Sequence, residues 1–292
     1  MAQEEWLAEQ FEKHRERLHS IAYRMLGSLP EAEDAVQDAW IRVSRAGAED
    51  VENFGGWLTV IVSRISLSML RARRRRREDH FGVHVPDPVL EPAETVSAPD
   101  DEAQLADSVG LALLVLLDAL SPAERLAFVL HDMFELSFER IAEIIGRTSE
   151  ATRQLASRGR RRINGADLRL PDSDIRRQRE VADAYFRAIR AGDFESLMNL
   201  LDPDVLLRAD FGSHGPQRSI EISGAAQVAK RSRADPNAVI RPALVNGAAG
   251  AVTMLDGKPF AILSFTIVKG KIVEINVIAD PQRLGPLVEK FP

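Results

Sequence analysis

Cysteine is absent from the 292 residues, tyrosine occurs only twice, and aromatic residues make up 6% of the chain. Without cysteine there are no disulfides and no thiolate-held zinc. The six histidines, at 14, 19, 80, 84, 131 and 214, fall at no metal-ligand spacing, so neither a metal nor another cofactor is expected. No apolar run reaches the ~18 residues that a membrane helix needs. The acidic, amphipathic opening MAQEEWLAEQFEKHRERL lacks the basic start and apolar stretch of a signal peptide. These absences point to a cytoplasmic protein that touches no membrane. Its length allows two or three modules, each with its own core.

The net charge of −6 conceals a segregation. Residues 1–170 hold 22 Lys and Arg against 29 Asp and Glu, while residues 171–292 hold 16 against 15. Basic residues of the first part gather at 71–77, where six of seven are arginine, and at 158–162 (RGRRR). Residues 78–107 then hold nine acids and no Lys or Arg. Two basic clusters on separate modules favour contact with phosphates. A solvated helix end is the plain alternative for either cluster alone.

Residues 5–76 read as helical. In LPEAEDAVQDAWIRVSRA, Pro30 and the acids Glu31, Glu33 and Asp34 suit a helix N-terminus. Ala32, Ala35, Val36, Ala39, Trp40 and Val43 make one apolar stripe, and Asp34, Gln37, Asp38 and Ile41 another face. After Gly55-Gly56, a second long helix runs into the arginines. Residues 78–107, with Pro86, Pro88, Pro92 and Pro99, read as a linker. An apolar helix resumes from Val109 to Leu120, and Ser121-Pro122 restarts another.

Residues 137–163 carry the sharpest local pattern. Ser137 caps a helix that Gly146 stops, and a second helix begins near Thr148 or Ser149. Ile141, Ala142 and Ile145 form the buried face of the first, and Thr152, Leu155, Ala156, Gly159 and Ile163 that of the second. Opposite lie Glu150, Arg153, Gln154, Ser157, Arg158 and Arg161. This is the pattern of a helix-turn-helix, and Arg and Gln are residue types that read guanine and adenine edges. Beyond Pro171 the chain turns from helix to strands: DVLLRAD, IRPALVNG, GAVTML, PFAILSFTIVKGK and IVEINVIA suggest an α+β module with a curved antiparallel sheet.

In their order, these pieces resemble the extracytoplasmic-function RNA polymerase sigma factors over residues 5–165. SIAYRMLGSLPEAEDAVQDAWIRV and FGGWLTVIVSRISLSMLRARRRR are similar to region 2. LSPAERLAFVLHDMFELSFERIAEIIGRTSEATRQLASRGRRRI is similar to region 4. The remainder resembles the SnoaL-like cone that one subgroup carries, with VPDP (Val85, Pro86, Asp87, Pro88), DFGSHGP around Asp210 and His214, and ADPQRL with Asp280 and Pro281 as its motifs. Several loop glycines and a lysine of that subgroup are replaced here.

The resemblance implies a multidomain chain: two all-α sigma domains, a region 2 bundle and a region 4 helix-turn-helix, followed by an α+β SnoaL-like cone. The domains would be 1–77, an acidic Pro-rich linker 78–107, 108–168 and 172–292. It implies an alternative sigma factor that directs core polymerase to promoters and is regulated in cis by its cone. Glu33, Asp34, Gln37 and Asp38 would bind the beta-prime clamp, and the beta flap would be a second polymerase contact. Phe54 and Trp57 would stack on unpaired −10 bases, and Arg64, Arg71, Arg73 and Arg74 would hold that strand's phosphates. As single residues, Trp40 and Trp57 also suit the core. Many relatives carry Asp or Asn where this chain has Ser66 and Ser68. The −35 element would meet Glu150, Arg153, Gln154, Ser157, Arg158 and Arg161. Val85, Pro86, Asp87, Pro88, Asp210, His214, Asp280 and Pro281 would make regulatory contacts with the linker and sigma domains. Asp210, His214 and Arg208 also offer an acid/base pair, but such a pair beside a Gly-Pro loop is ordinarily a surface turn, so no catalytic residue is assigned. The rival reading is a stand-alone DNA-binding regulator, or a sensor whose cone binds or transforms a small apolar ligand.

Overall fold

A computed structural model describes residues 2–46, 51–77, 83–93, 110–165, 172–212, 219–289 and 291. The chain divides into two compact units, one of Met1–Asp79 with Leu116–Leu168 and one of His80–Val115 with Arg169–Pro292. Among the described residues no helix is long and apolar enough to cross a membrane.

The first unit is helical. Helices α1 (Ala2–Leu26), α2 (Leu29–Ala46) and α3 (Phe54–Arg77) pack as a bundle. The α2 stripe is buried at Ala32, Ala35, Val36, Ala39 and Val43, with Trp40 half-buried against Phe11 at a ring separation of 5.1 Å. Helix α4 (Leu111–Asp118), which belongs to this unit only from Leu116 on, leads to α5 (Pro122–Phe128), a π-helical turn at Val129–Met133, α6 (Phe138–Ile145) and α7 (Ser149–Gly165). Ser121 and Glu124 close a reciprocal capping box at the start of α5. Ser137 caps α6, which ends at the left-handed Gly146, and the Thr148 hydroxyl accepts from the Ala151 N–H. On α6 the buried residues are Ile141, Ala142 and Ile144, while the expected Ile145 is half-buried. Ile144 follows Ile141 by three positions, so it completes the stripe one residue early on this eight-residue helix. The α7 stripe Thr152, Leu155, Ala156, Gly159 and Ile163 is buried throughout.

The second unit holds α8 (Ile175–Ala191), α9 (Phe194–Leu200), α10 (Ala225–Arg231), α11 (Pro281–Val288) and a seven-stranded sheet. The strands are β1 (Leu90–Pro92), β2 (Leu201–Asp210), β3 (Ile220–Ser223), β4 (Val239–Val245), β5 (Ala248–Leu255), β6 (Lys258–Val268) and β7 (Lys271–Ile278). Their order is β1-β4-β5-β6-β7-β2-β3. Strands β4 to β7 form a meander whose two-residue turns Asn246-Gly247, Asp256-Gly257 and Lys269-Gly270 hold positive φ at both positions. That is the turn whose twist matches a hairpin, and Asn-Gly and Asp-Gly are its preferred pairs.

Two expectations need correction. The sheet is not wholly antiparallel, because β2 runs parallel to β7. Their connection passes through β3 and the whole meander, which brings the last strand back in the same direction. The stretch read as linker is also partly structured: residues 90–92 pair antiparallel with Val245, Leu244 and Ala243 at the edge of β4. A strand of three residues with a proline leaves no period for sequence reading to detect, and proline is tolerated at a sheet edge.

Helices α8, α9 and α10 cover one face of the sheet. Val205, Leu207, Leu244, Ala251, Phe265 and Ile275 are buried beneath them with Tyr185 and Phe186. Tyr185, Phe186 and Phe265 meet pairwise at 5.2–5.6 Å in near-perpendicular contacts and fill the interior. Burial pushes the Tyr185 phenol up to about 12, against the opposing effect of its 2.9 Å hydrogen bond to Ser232.

Candidate functional site

Glu33, Asp34, Gln37 and Asp38 are all exposed on one side of α2. Their spacing of three and four residues follows from the buried stripe, which turns them outward. Glu33 accepts from Arg15 of α1 at 2.5 Å beside a groove of about 260 Å³ that Phe11, Val36 and Trp40 also line.

Along α3, Phe54, Trp57, Ile61, Arg64, Ser68, Arg71 and Arg75 recur every three or four residues and form one stripe, half-buried at its aromatic start and exposed from Arg64 on. Phe54 lies between Trp6 and Trp57, each at 5.9 Å. The arginines follow the aromatics along one face, and at 1.5 Å per residue Arg64 and Arg71 stand about 10 Å apart. Ser66 lies outside this stripe: it is buried, and its hydroxyl donates to the Val62 carbonyl at 2.9 Å.

Arg64 donates to the Glu143 carbonyl at the end of α6 at 3.0 Å. Arg73 departs further from expectation, because it turns inward. Its Nη1 donates to Glu31 at 3.1 Å, its Nη2 donates to the Leu26 carbonyl at 2.7 Å, and the Asp118 carboxylate lies 3.6 Å away. Arg125 of α5 is fully buried, donates through Nε to the Arg24 carbonyl at 3.1 Å, and meets Asp118 at 2.5 Å. The physical cause is the C-terminus of α1, whose last carbonyls lack helical partners and carry partial negative charge. Two guanidiniums satisfy them, and Arg73 is held there in place of the surface. Arg71 and Arg74 remain exposed.

On α7, Glu150, Arg153, Gln154, Ser157, Arg158 and Arg161 are all exposed. Arg153 pairs with Glu150 at 3.0 Å and lies over the Phe138 ring at 5.2 Å, which steadies its guanidinium. Behind them Glu124 is buried. Burial alone would raise its carboxyl, but hydrogen bonds from Ser121 and the charges of Arg162 and Arg158 outweigh that and hold it below the usual range.

In the second unit the VPDP segment is buried at Val85, Pro86, Asp87 and Pro88. A single guanidinium organises it. Arg283 donates through Nε and Nη2 to Asp87 Oδ1 at 2.8 and 2.6 Å, through Nη2 to the Val85 carbonyl at 2.6 Å, and through Nη1 to Asp210 Oδ2 at 2.7 Å. Asp210 also accepts from the Val85 and Gly212 N–H groups, both at 3.0 Å, and lies 3.2 Å from His84 Nδ1. Burial alone would raise the Asp210 carboxyl. The hydrogen bonds from His84, Val85 and Gly212 and the charge of Arg283 outweigh it and hold the group well below the usual carboxylate range. Asp280 caps α11 through the Gln282 N–H and places Arg283 in its first turn, with Pro281 as the first helical residue. A Cβ on Gly212 would run into the Asp280 carboxylate, so the loop after β2 closes on α11 only with glycine there. Farther along, Val89 exchanges two hydrogen bonds with Asn246, its N–H to the side chain at 3.0 Å and its carbonyl from the N–H at 2.9 Å.

Of the acid/base candidates, Arg208 and Asp210 lie among the described residues. Arg208 is paired with Glu221 at 2.8 Å and Glu274 at 2.7 Å, Asp210 is tied to Arg283, and His214 lies outside the described residues. Sequence reasoning passed over Arg283, His84, Asp118 and Arg125. The signal for Arg283 was present: it stands three residues after the Asp280 cap, within the stretch ADPQRL.

A region 2-type bundle with an acidic face and an arginine-ended helix, a helix-turn-helix with a polar front and an appended cone define a promoter-reading subunit of transcription. Residues 10–76 match the Sigma-70 region 2 family and residues 110–163 the Sigma-70 region 4 family. The chain is 34% identical to the probable ECF RNA polymerase sigma factor SigI of Mycobacterium tuberculosis, over 98% of each chain. It is 33% identical to the ECF RNA polymerase sigma factor SigJ of the same organism, over 96% of this chain and 95% of that one. The crystal structure of M. tuberculosis SigJ superposes with a TM-score of 0.72 at 31% identity, covering 94% of this chain and 97% of that one. The chain belongs to the extracytoplasmic-function (ECF) RNA polymerase sigma factors and carries a SnoaL-like C-terminal domain. It is a bacterial alternative sigma factor of transcription initiation.

Proposed function

We propose that the cone sets the activity of this sigma factor in cis, by holding the segment that joins the two promoter-reading regions. The observation that carries this reading is the half-buried Arg283, which binds the buried Asp87 and Asp210 and the Val85 carbonyl at once. In sequence this segment connects α3 to α4, so clasping it limits how the region 2 and region 4 elements separate. Within the first unit, Arg64 on Glu143 and Arg73 beside Asp118 oppose the same separation.

In this reading, 1–77, 108–168 and 172–292 act as functional domains joined by 78–107. Glu33, Asp34, Gln37 and Asp38 dock the beta-prime clamp of core polymerase, and region 4 reaches the beta flap. Phe54, Trp57, Arg64, Arg71 and Arg74 engage the −10 strand, with Arg73 released to join them only when its Glu31 and Asp118 contacts open. The α7 front reads the −35 element. The protein works in the cytoplasm without a membrane contact and without catalysis. The aromatic filling of the cone and the pairing of Arg208 and Asp210 support a contact surface over a reaction centre.

Run-off transcription with core polymerase tests the reading. The full chain and a chain ending at Leu168 are expected to differ several-fold in transcript at equal concentration. Equal transcript from both, in the reconstituted system and in cells, would defeat the proposal.

A further inference from the structure

Two adjoining clefts, of about 220 and 280 Å³, open between the arginine end of α3 and the start of α5, and they share Arg74 and Pro122. Five arginines line them (71, 73, 74, 75 and 125) against a single carboxylate, Asp118. Arg73 and Arg125 are fixed by Glu31, Asp118 and the α1 carbonyls and form an ordered floor of guanidiniums, their charge balanced by these carboxylates. Arg71, Arg74 and Arg75 stand at i, i+3 and i+4, all exposed, and none pairs with a carboxylate among the described residues. Like charges at this spacing repel one another.

We propose that this crevice binds a small polyphosphate, either an inorganic oligophosphate or the phosphate tail of a nucleotide. Guanidinium forks match phosphate oxygens two at a time, and a polyanion shared by three of them relieves their mutual repulsion. The α5 terminus adds little to this recognition. Pro122 has no N–H, and the Ser121 hydroxyl donates to Glu124 at 2.7 Å. Selection therefore rests on charge density and size. A DNA strand spaces its phosphates with sugars along a track. The crevice instead gathers cations from two elements around one small volume, and so favours phosphates joined directly. Because Arg71 and Arg74 belong to both surfaces, a bound polyphosphate competes with promoter DNA. The site stands independently of the cone and its clasp.

Isothermal titration of the full chain with sodium tripolyphosphate at constant ionic strength tests the site. One equivalent is expected to bind saturably. Arg75→Gln, and Arg74→Gln with Arg75→Gln, are expected to weaken it, the pair by about tenfold or more. Arg153→Gln with Arg161→Gln removes equal charge from α7 and is expected to leave binding unchanged. Equal affinity for ATP, GTP and tripolyphosphate identifies the phosphate chain alone as the ligand, whereas a preferred nucleoside identifies a nucleotide. Titration without saturation overturns the proposal, as does equal weakening by the α7 pair, because either marks unspecific attraction of anions. All the substituted arginines are exposed, and unchanged circular dichroism confirms that the variants fold.

Discussion

Arg283 Nη1 lies 2.7 Å from Asp210 Oδ2, and the same guanidinium reaches Asp87 across 196 positions of sequence. Asp87 and Asp210 are both buried, so this one cation is shared between two carboxylates that have little access to water. Removing one partner of a buried pair costs more than the pair contributes, because the remaining charge is stranded.

Arg283→Ala is therefore expected to destabilise the second unit by about 3–5 kcal/mol. Urea denaturation followed through the cone's β-sheet signal measures it. A loss below about 1 kcal/mol, the value of an exposed ion pair, would show that the guanidinium is not essential there.

The Asp210 carboxyl is depressed in the folded protein relative to an unfolded value near 3.9. A group with a lowered folded pKa stabilises the fold fully above its unfolded value and loses that contribution as pH falls toward the folded one. The second unit is thus expected to lose stability steadily below about pH 4. Asp210→Asn should be less stable at neutral pH and flatter through this acidic range, as melting temperatures across pH will show.

Asp118→Ala is expected to cost the first unit about 3–5 kcal/mol, since it takes from the fully buried Arg125 the carboxylate 2.5 Å away. The exposed Arg15–Glu33 pair, despite a similar distance of 2.5 Å, is expected to contribute at most about 1 kcal/mol. Chemical denaturation of Asp118→Ala and Arg15→Ala side by side measures the contrast.

On the surface proposed to read the −35 element, Gln154→Ala is expected to cost about 1–3 kcal/mol and relax preference at one base position. Arg161→Ala is expected to weaken all sequences alike and to reduce the salt slope of binding by about one. Binding isotherms of the polymerase holoenzyme on a promoter series, repeated at several salt concentrations, separate the two.

The helix-turn-helix was legible because period and polarity agree: Thr152, Leu155, Ala156, Gly159 and Ile163 face inward, and Arg153, Gln154 and Ser157 outward. Arg73 was not, because nothing local distinguishes it from Arg71 or Arg74. Only the carbonyl end of α1 and the carboxylates of Glu31 and Asp118 single it out. The strands of the meander could be read, yet β1 and β3, of three and four residues, are too short to show a period. Asn246-Gly247 and Asp256-Gly257 are stronger turn signals than Lys269-Gly270, which makes the same kind of turn. The VPDP stretch identified one half of the clasp. The other half needed the fold, since Arg283 meets it only through the α11 cap and the loop after β2.

The most direct test of cis control is single-round transcription with core polymerase by the full-length protein carrying Asp87→Ala, Arg283→Ala or both. If the clasp sets activity, each single variant shifts transcript yield several-fold in the same direction, and the double variant shifts it no further than either alone. Unchanged yield in all three, with core polymerase bound as before, would contradict the account.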